Sequence, residues 1–230
     1  MKHLIETTNP SGLATVPYDR IVLDSTENDI IVKGGGYEYV DLGLPSGLKW
    51  AKCNVGAEKE TDYGYYFQWG ETTPDTNCTW ATYEHCNRSE TTLRKYNTSS
   101  SYGENPDNTT TLETEDDAAT QIMGGDWRMP TEAEIQELLD NTTNEWTQVN
   151  GVNGRKLTSK TDKSKYIFIP AAGECFYGSA YGVGGNGHIW SSSLYTSKPS
   201  GAWRLEVGSF HCVMAVTRRS NGVPVRGVFK

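Results

Sequence analysis

From Trp190 to Val228 the chain reads WSSSLYTSKPSGAWRLEVGSFHCVMAVTRRSNGVPVRGV, and no other stretch limits the fold as much. Trp203, Leu205 and Val207 alternate with Arg204, Glu206 and Gly208. A period of two fits a strand with one face in a core and the other outward. The expected outward set is Arg204, Glu206, Gly208, His211, Val213, Ala215, Thr217, Arg218, Ser220, Asn221 and Val223. These side chains share no catalytic logic, but they suit a surface built to touch something.

A core for 230 residues has to come largely from rings. Hydrophobic residues make up only 36% of the chain, which nevertheless holds seven Trp and thirteen Tyr. The formal net charge of −8 opposes phosphate backbones and anionic lipid, so nucleic acid is not an expected partner. No run approaches the roughly 18 apolar residues of a spanning helix, so no membrane insertion is expected. The opening MKHLIETTNPSG is also too short in apolar residues for a signal peptide. The five cysteines are scattered without a CxxC pair, which argues against a zinc ribbon. Buried thiols are the favoured reading, with a Cys78–Cys86 bridge inside a loop as the alternative.

Residues 1–36 form a separate segment. IVLD and DIIVK flank the turn STEN as a hairpin, and Gly34, Gly35 and Gly36 make a flexible joint. Attachment or oligomerisation suits such a segment, and an edge hairpin packed on the main domain is the alternative. Residues 37–230 form the main domain. Trp50, Phe67 and Trp69 are expected in its core, and Pro74 to Thr114 is expected to be surface loop pinned by Trp80, Tyr83 and Tyr96. Acidic residues open a helix from Glu115 to Met123, stopped by Gly124-Gly125. DWRMP reads as a strand. Thr131 and Glu134 form a capping box for a second helix, with Ile135, Leu138 and Leu139 on one face. After Asn141, GRKLTSKT, KYIFIPAAG and HIWSSS read as strands, so the fold class is α+β with two helices, antiparallel strands and extensive loops.

The order of YVDLGLPSGLKWAKCNVGA, DYGYYFQWGET, EDDAA, WRMPTEAEIQELLDN, IFIPAAG, IWSSSL and GVPVRGV resembles the Fibrobacter succinogenes major paralogous domain family of gut Bacteroidetes. That resemblance covers Tyr37 to about Val228 and implies a C-type-lectin-like fold. The same fold serves the variable proteins of diversity-generating retroelements, whose C-terminal segment is rewritten at template adenines. Most of the outward residue types after Trp203 are reachable from an asparagine codon in this way, although Glu206 and Met214 are not; ordinary divergence of a paralogue is the alternative. Gly227 stands where the family pattern carries proline.

The resemblance implies a non-enzymatic protein that recognises a protein or glycan on a cell or phage surface, and that itself sits on a cell or virion surface. A structural or adhesive module, whose C-terminal face packs in an assembly, is the alternative. Sugar would stack on Tyr177, Tyr181 or Tyr195, with hydrogen bonds from Asn186, Arg204 or Glu206. The EPN, QPD and WND triplets of calcium-dependent lectins are absent, and Asn105-Pro106-Asp107 is an isolated approximation. No cofactor is expected beyond a structural calcium held by loop carbonyls. The histidines are dispersed, and the hydroxyls of Ser191 to Ser193 are expected to bond backbone, not act as nucleophiles. Arg218 and Arg219 read as a solvated strand edge that also blocks edge aggregation, with binding of an acidic partner as the alternative.

Overall fold

A computed structural model describes residues 36–230. The expected N-terminal hairpin lies outside them. Three short strands, β1 (Tyr39–Asp41), β2 (Lys49–Ala51) and β3 (Tyr66–Phe67), come before two helices, α1 (Ala118–Met123) and α2 (Glu132–Asn141). The strands β4 (Thr142–Val149), β5 (Val152–Ser159), β6 (Tyr166–Pro170), β7 (Glu174–Phe176) and β8 (Ser179–Tyr181) follow. The chain then forms β9 (Asn186–Leu194), β10 (Gly201–Gly208), β11 (Cys212–Arg218), β12 (Val223–Pro224) and β13 (Val228–Phe229). The strands group into small sheets ordered β1-β2-β13, β11-β10-β9, β12-β3, β4-β5-β6 and β7-β8, with antiparallel pairing. The α+β class therefore holds.

Both helices are set by their caps. In α2, Thr131 Oγ1 accepts from the Glu134 N–H and Glu134 Oε2 accepts from the Thr131 N–H, closing the capping box. Arg128 then clamps Glu134 through both guanidinium nitrogens, and Ile135 and Leu138 are buried beneath. The first helix is shorter than expected. Asp117, not Glu115, is its N-cap, because its carboxylate accepts from the Thr120 N–H and also from the Met129 N–H, while Thr114–Asp116 forms a 3-10 turn. Asp126 to Pro130 is not a strand either; Arg128 makes only an isolated bridge to Val228.

Two cores lie against the β11-β10-β9 sheet, the central one. Phe67, Trp69, Tyr96, Trp127 and Trp190 fill one, and Trp50, Ile135, Leu157, Ile169, Leu205 and Val207 fill the other. Trp203, expected in the core, is only half-buried, with its ring edge-on to Tyr195 at 5.3 Å. The Pro74 to Thr114 stretch carries no regular strand or helix before the 3-10 turn, as expected. Tyr83 and Tyr96 are buried there, and Trp80 packs edge-on to Tyr83.

What fastens that stretch corrects the reading of Arg219 as solvated. Arg219 is 0% exposed. Its guanidinium donates to Tyr83 Oη and to the carbonyls of Lys95, Tyr96 and Pro199, and it lies over the rings of Trp69, Tyr83 and Tyr96. Ring faces and carbonyl dipoles thus stand in for a carboxylate. Arg226 is equally buried, donating to Asn54 Oδ1 and the Lys52 carbonyl, and burial pushes its guanidinium down to about 10.

Close approach explains two glycines. A Cβ on Gly227 would lie 2.6 Å from Met123 Sδ and 2.9 Å from Trp127 Cε3, so this chain has no room there for the proline of the family pattern. One on Gly222 would lie 2.4 Å from Cys78 Sγ. All five cysteines are free, and the neighbour of the Cys78 thiol is Cys175, not Cys86. The Cys86 thiol turns instead toward the Trp80 and Tyr83 carbonyls.

Candidate functional site

The central sheet decides which side chains share a surface. Cross-strand partners in an antiparallel pair point to the same face. Glu206 sits between His188 on β9 and Val213 on β11, and Arg204 between Trp190 and Ala215. One face therefore gathers His188, Trp190, Arg204, Glu206, Val213 and Ala215, with its β9 side buried: Trp190 enters the first core and His188 is 5% exposed. The opposite face carries Ile189, Leu205 and Val207 into the second core.

Charge pairing organises the gathered face. Arg204 Nη1 donates to Glu174 Oε2 at 2.8 Å and Nη2 to Glu206 Oε2 at 2.7 Å, so one guanidinium bridges two carboxylates from different sheets. Asn221 Nδ2 donates to the same Glu174 oxygen and to Thr217 Oγ1. His211 Nε2 stands 3.3 Å from Glu206 Oε1 without hydrogen-bond alignment, and His188 Nδ1 stands 3.9 Å from Oε2. Burial pushes His188 down to about 3, with Arg204 and His211 adding to the shift, so its ring is neutral at pH 7. His188 Nδ1, Arg204 Nε, His211 Nε2 and Asn221 Oδ1 are buried without a hydrogen-bond partner among the described residues. A buried polar group that finds no partner costs roughly 1–3 kcal/mol.

Not all of the expected outward residues are outward. Arg204 is 7% exposed, its charge spent on Glu174 and Glu206. Gly208 is buried in the β10–β11 turn, where its N–H donates to the His211 carbonyl. Ser220, Asn221 and Val223 are also buried, because the chain turns inward after Arg218 so that β12 can pair with β3. The part that meets solvent is Glu206, His211, Val213, Ala215, Thr217 and Arg218, with Val213 45% exposed. Tyr195 is half-buried against Trp203, at the other end of β10 from Glu206.

Three participants are absent from the sequence reading. Glu174 reaches the face from β7, His188 from β9, and Phe210, 98% exposed, tips the β10–β11 turn. The triplet SFH between two strands was a legible sign of an exposed ring at a turn; nothing local to Glu174 marks it as a partner of Arg204.

Other expected chemistry resolves into structure. Ser192 Oγ donates to the Pro130 carbonyl, while Ser191 Oγ and Ser193 Oγ accept from the N–H groups of Ser193 and Glu132. Asp107 accepts from the N–H groups of Tyr96, Asn97 and Thr109, which makes it a loop staple. Among the described residues, no group of three His, Cys, Asp or Glu side chains is arranged to hold a metal ion, and no helix is long and apolar enough to cross a membrane. Compared with protein-family profiles, with curated proteins and with solved structures, the chain matches none.

Proposed function

We propose that this is a non-enzymatic ligand-binding protein on a C-type-lectin-like scaffold, with Glu206 of β10 and the solvent-facing side chains of β11 as its recognition surface for a protein or glycan at a cell or virion surface. The observation that carries the reading is the Glu174–Arg204–Glu206 bridge, with the exposed side chains of β11 beside it. A fixed charge network on a rigid sheet holds neighbouring side chains in place at little entropic cost on binding. Buried polar atoms without partners next to an open surface also fit a site kept for recognition.

The retroelement reading narrows to residues that a ligand can reach. Diversification that preserves folding would fall on His211, Val213, Ala215, Thr217 and Arg218, and would spare the buried Arg204, Ser220, Asn221 and Val223, as well as Glu206, which adenine rewriting of an asparagine codon does not reach. Nucleotide sequencing around the gene tests this. A near-copy of the segment encoding residues 190–228, differing at adenines and at those exposed positions, supports the proposal. A copy whose differences fall on the buried positions, or no copy at all, removes diversification and leaves a binding face of fixed sequence.

A further inference from the structure

A concavity lies beyond the end of β11. It is a cleft of about 610 Å³ between the loop around residues 77–90 and the β7–β8 hairpin, with Arg218 at its edge. That volume falls in the roughly 300–1,000 Å³ range of small-ligand sites. Its walls are tied together, since the Gly178 N–H donates to the Asn77 carbonyl at 2.8 Å and the Cys175 thiol to the Thr76 carbonyl at 3.3 Å.

Two rings line it, and both are braced. Trp80 packs edge-on to Tyr83 at 5.5 Å, and Tyr83 Oη accepts from the buried Arg219. Tyr177 is 63% exposed yet packs edge-on to Phe176 at 4.5 Å. Its backbone sits at φ 46°, in the two-residue hairpin turn completed by Gly178 at φ 74°. Arg88, which also lines the cleft, has φ 63°. Left-handed backbone at such residues is uncommon and persists where surrounding structure enforces it.

The charges point to the ligand. Arg128, Arg204, Arg219 and Arg226 are all engaged by carboxylates, carbonyls or other acceptors. Arg88 and Arg218 line the cleft and make no ion pair or side-chain hydrogen bond with another described residue. With Glu90 they leave the lining at a net charge of +1, on a chain whose formal charge is −8. A single carboxylate balances that lining; a dianionic phosphate overshoots it. Guanidinium forks match carboxylate geometry, aromatic faces suit the apolar face of a sugar ring, and Asn77 with its neighbouring hydroxyls suits sugar hydroxyls.

We infer that this cleft binds a carboxylate-bearing sugar, such as a uronic or sialic acid. The site goes beyond the sheet face and does not depend on it, except that Arg218 borders both. Isothermal titration of the full chain with glucuronic acid, N-acetylneuraminic acid, glucose and inorganic phosphate tests it. At least one sugar acid should bind about tenfold or more tighter than glucose or phosphate. Arg88→Ala and Tyr177→Ala should each weaken that binding about tenfold with an unchanged circular dichroism spectrum, because both side chains are exposed. Val213→Asp on the sheet face should leave it unaltered. The inference is overturned if neither acid binds at about 10 mM, if phosphate competes as well as the acid, or if binding survives R88A and Y177A. Loss of binding in V213D but not in R88A would move the acid to the sheet face and equally overturn it.

Discussion

The two faces of β10 come from one alternating strand, and they have opposite roles. Leu205 and Val207 are fully buried, packed with Ile189, Ile135 and Leu157 into a core. Arg204 and Glu206, one residue out of phase, build a charge bridge to Glu174 at a half-open surface. The core face gains by apolar burial at roughly 25 cal/mol per Å² and is indifferent to detailed geometry beyond packing. The bridging face gains little net stability, because desolvating its three charges offsets their attraction. A scaffold can therefore be rigid through one face of a strand and display chemistry on the other.

Substitutions sharpen the contrast. The largest loss is expected away from both faces, at Arg219→Ala, which would orphan three carbonyls and empty the ring cage. About 4 kcal/mol in denaturant unfolding is the expected cost. Leu205→Ala on the core face should cost about 3 kcal/mol by the same measurement. Arg204→Met should cost about 2 kcal/mol, less than a fully buried pair, since Glu174 and Glu206 are partly in solvent. A cost for Arg204→Met exceeding that for Leu205→Ala would break the contrast between the faces.

A pH series probes the same face more gently. His188 is held neutral in the fold down to about 3, against an ordinary value of 6.5. Below pH 6.5 the unfolded chain therefore binds a proton that the fold refuses, and stability falls as pH drops. Burial pushes Glu71, whose carboxylate accepts the Glu84 N–H, up from 4.5 to about 7. Its folded form keeps a proton that the unfolded chain releases, so its contribution falls as pH rises from 4.5 to 7. Between pH 4.5 and 6.5 the two slopes oppose one another. His188→Gln should remove one of them and tilt the profile toward stability that declines with rising pH, by at most about 1.4 kcal/mol per unit relative to the parent in urea midpoints, while His85, which burial also holds below its ordinary value, keeps a slope of the old sign. An unchanged pH profile in this variant would show that His188 titrates alike in both states.

Local signals were legible where local chemistry decides. The capping box of α2 needs only Thr131 and Glu134, three residues apart, and the apolar alternation of β10 correctly buried Leu205 and Val207. The β4–β5 hairpin carried an equally local sign, Asn150-Gly151, whose φ values of 48° and 80° suit a tight turn. That sign stands alone, because β4 lies at the edge of its sheet and, with four of its eight residues exposed, has no apolar alternation. Arg219 was out of reach: its cage is Trp69, Tyr83 and Tyr96, all more than a hundred residues away, while its neighbours Arg218 and Ser220 look like a solvated turn. Glu174 was hidden for the same reason, since only tertiary packing brings β7 beside β10.

The most direct test is binding to an array of bacterial surface glycans and surface proteins, comparing the full chain with Val213→Asp/Ala215→Asp. These side chains meet solvent beside the Arg204 bridge, so the double variant should melt within a few degrees of the parent. At least one array member should capture the parent chain and lose tenfold or more of that binding with the variant. Equal capture of both proteins, or no capture of either, would contradict a recognition surface on this face.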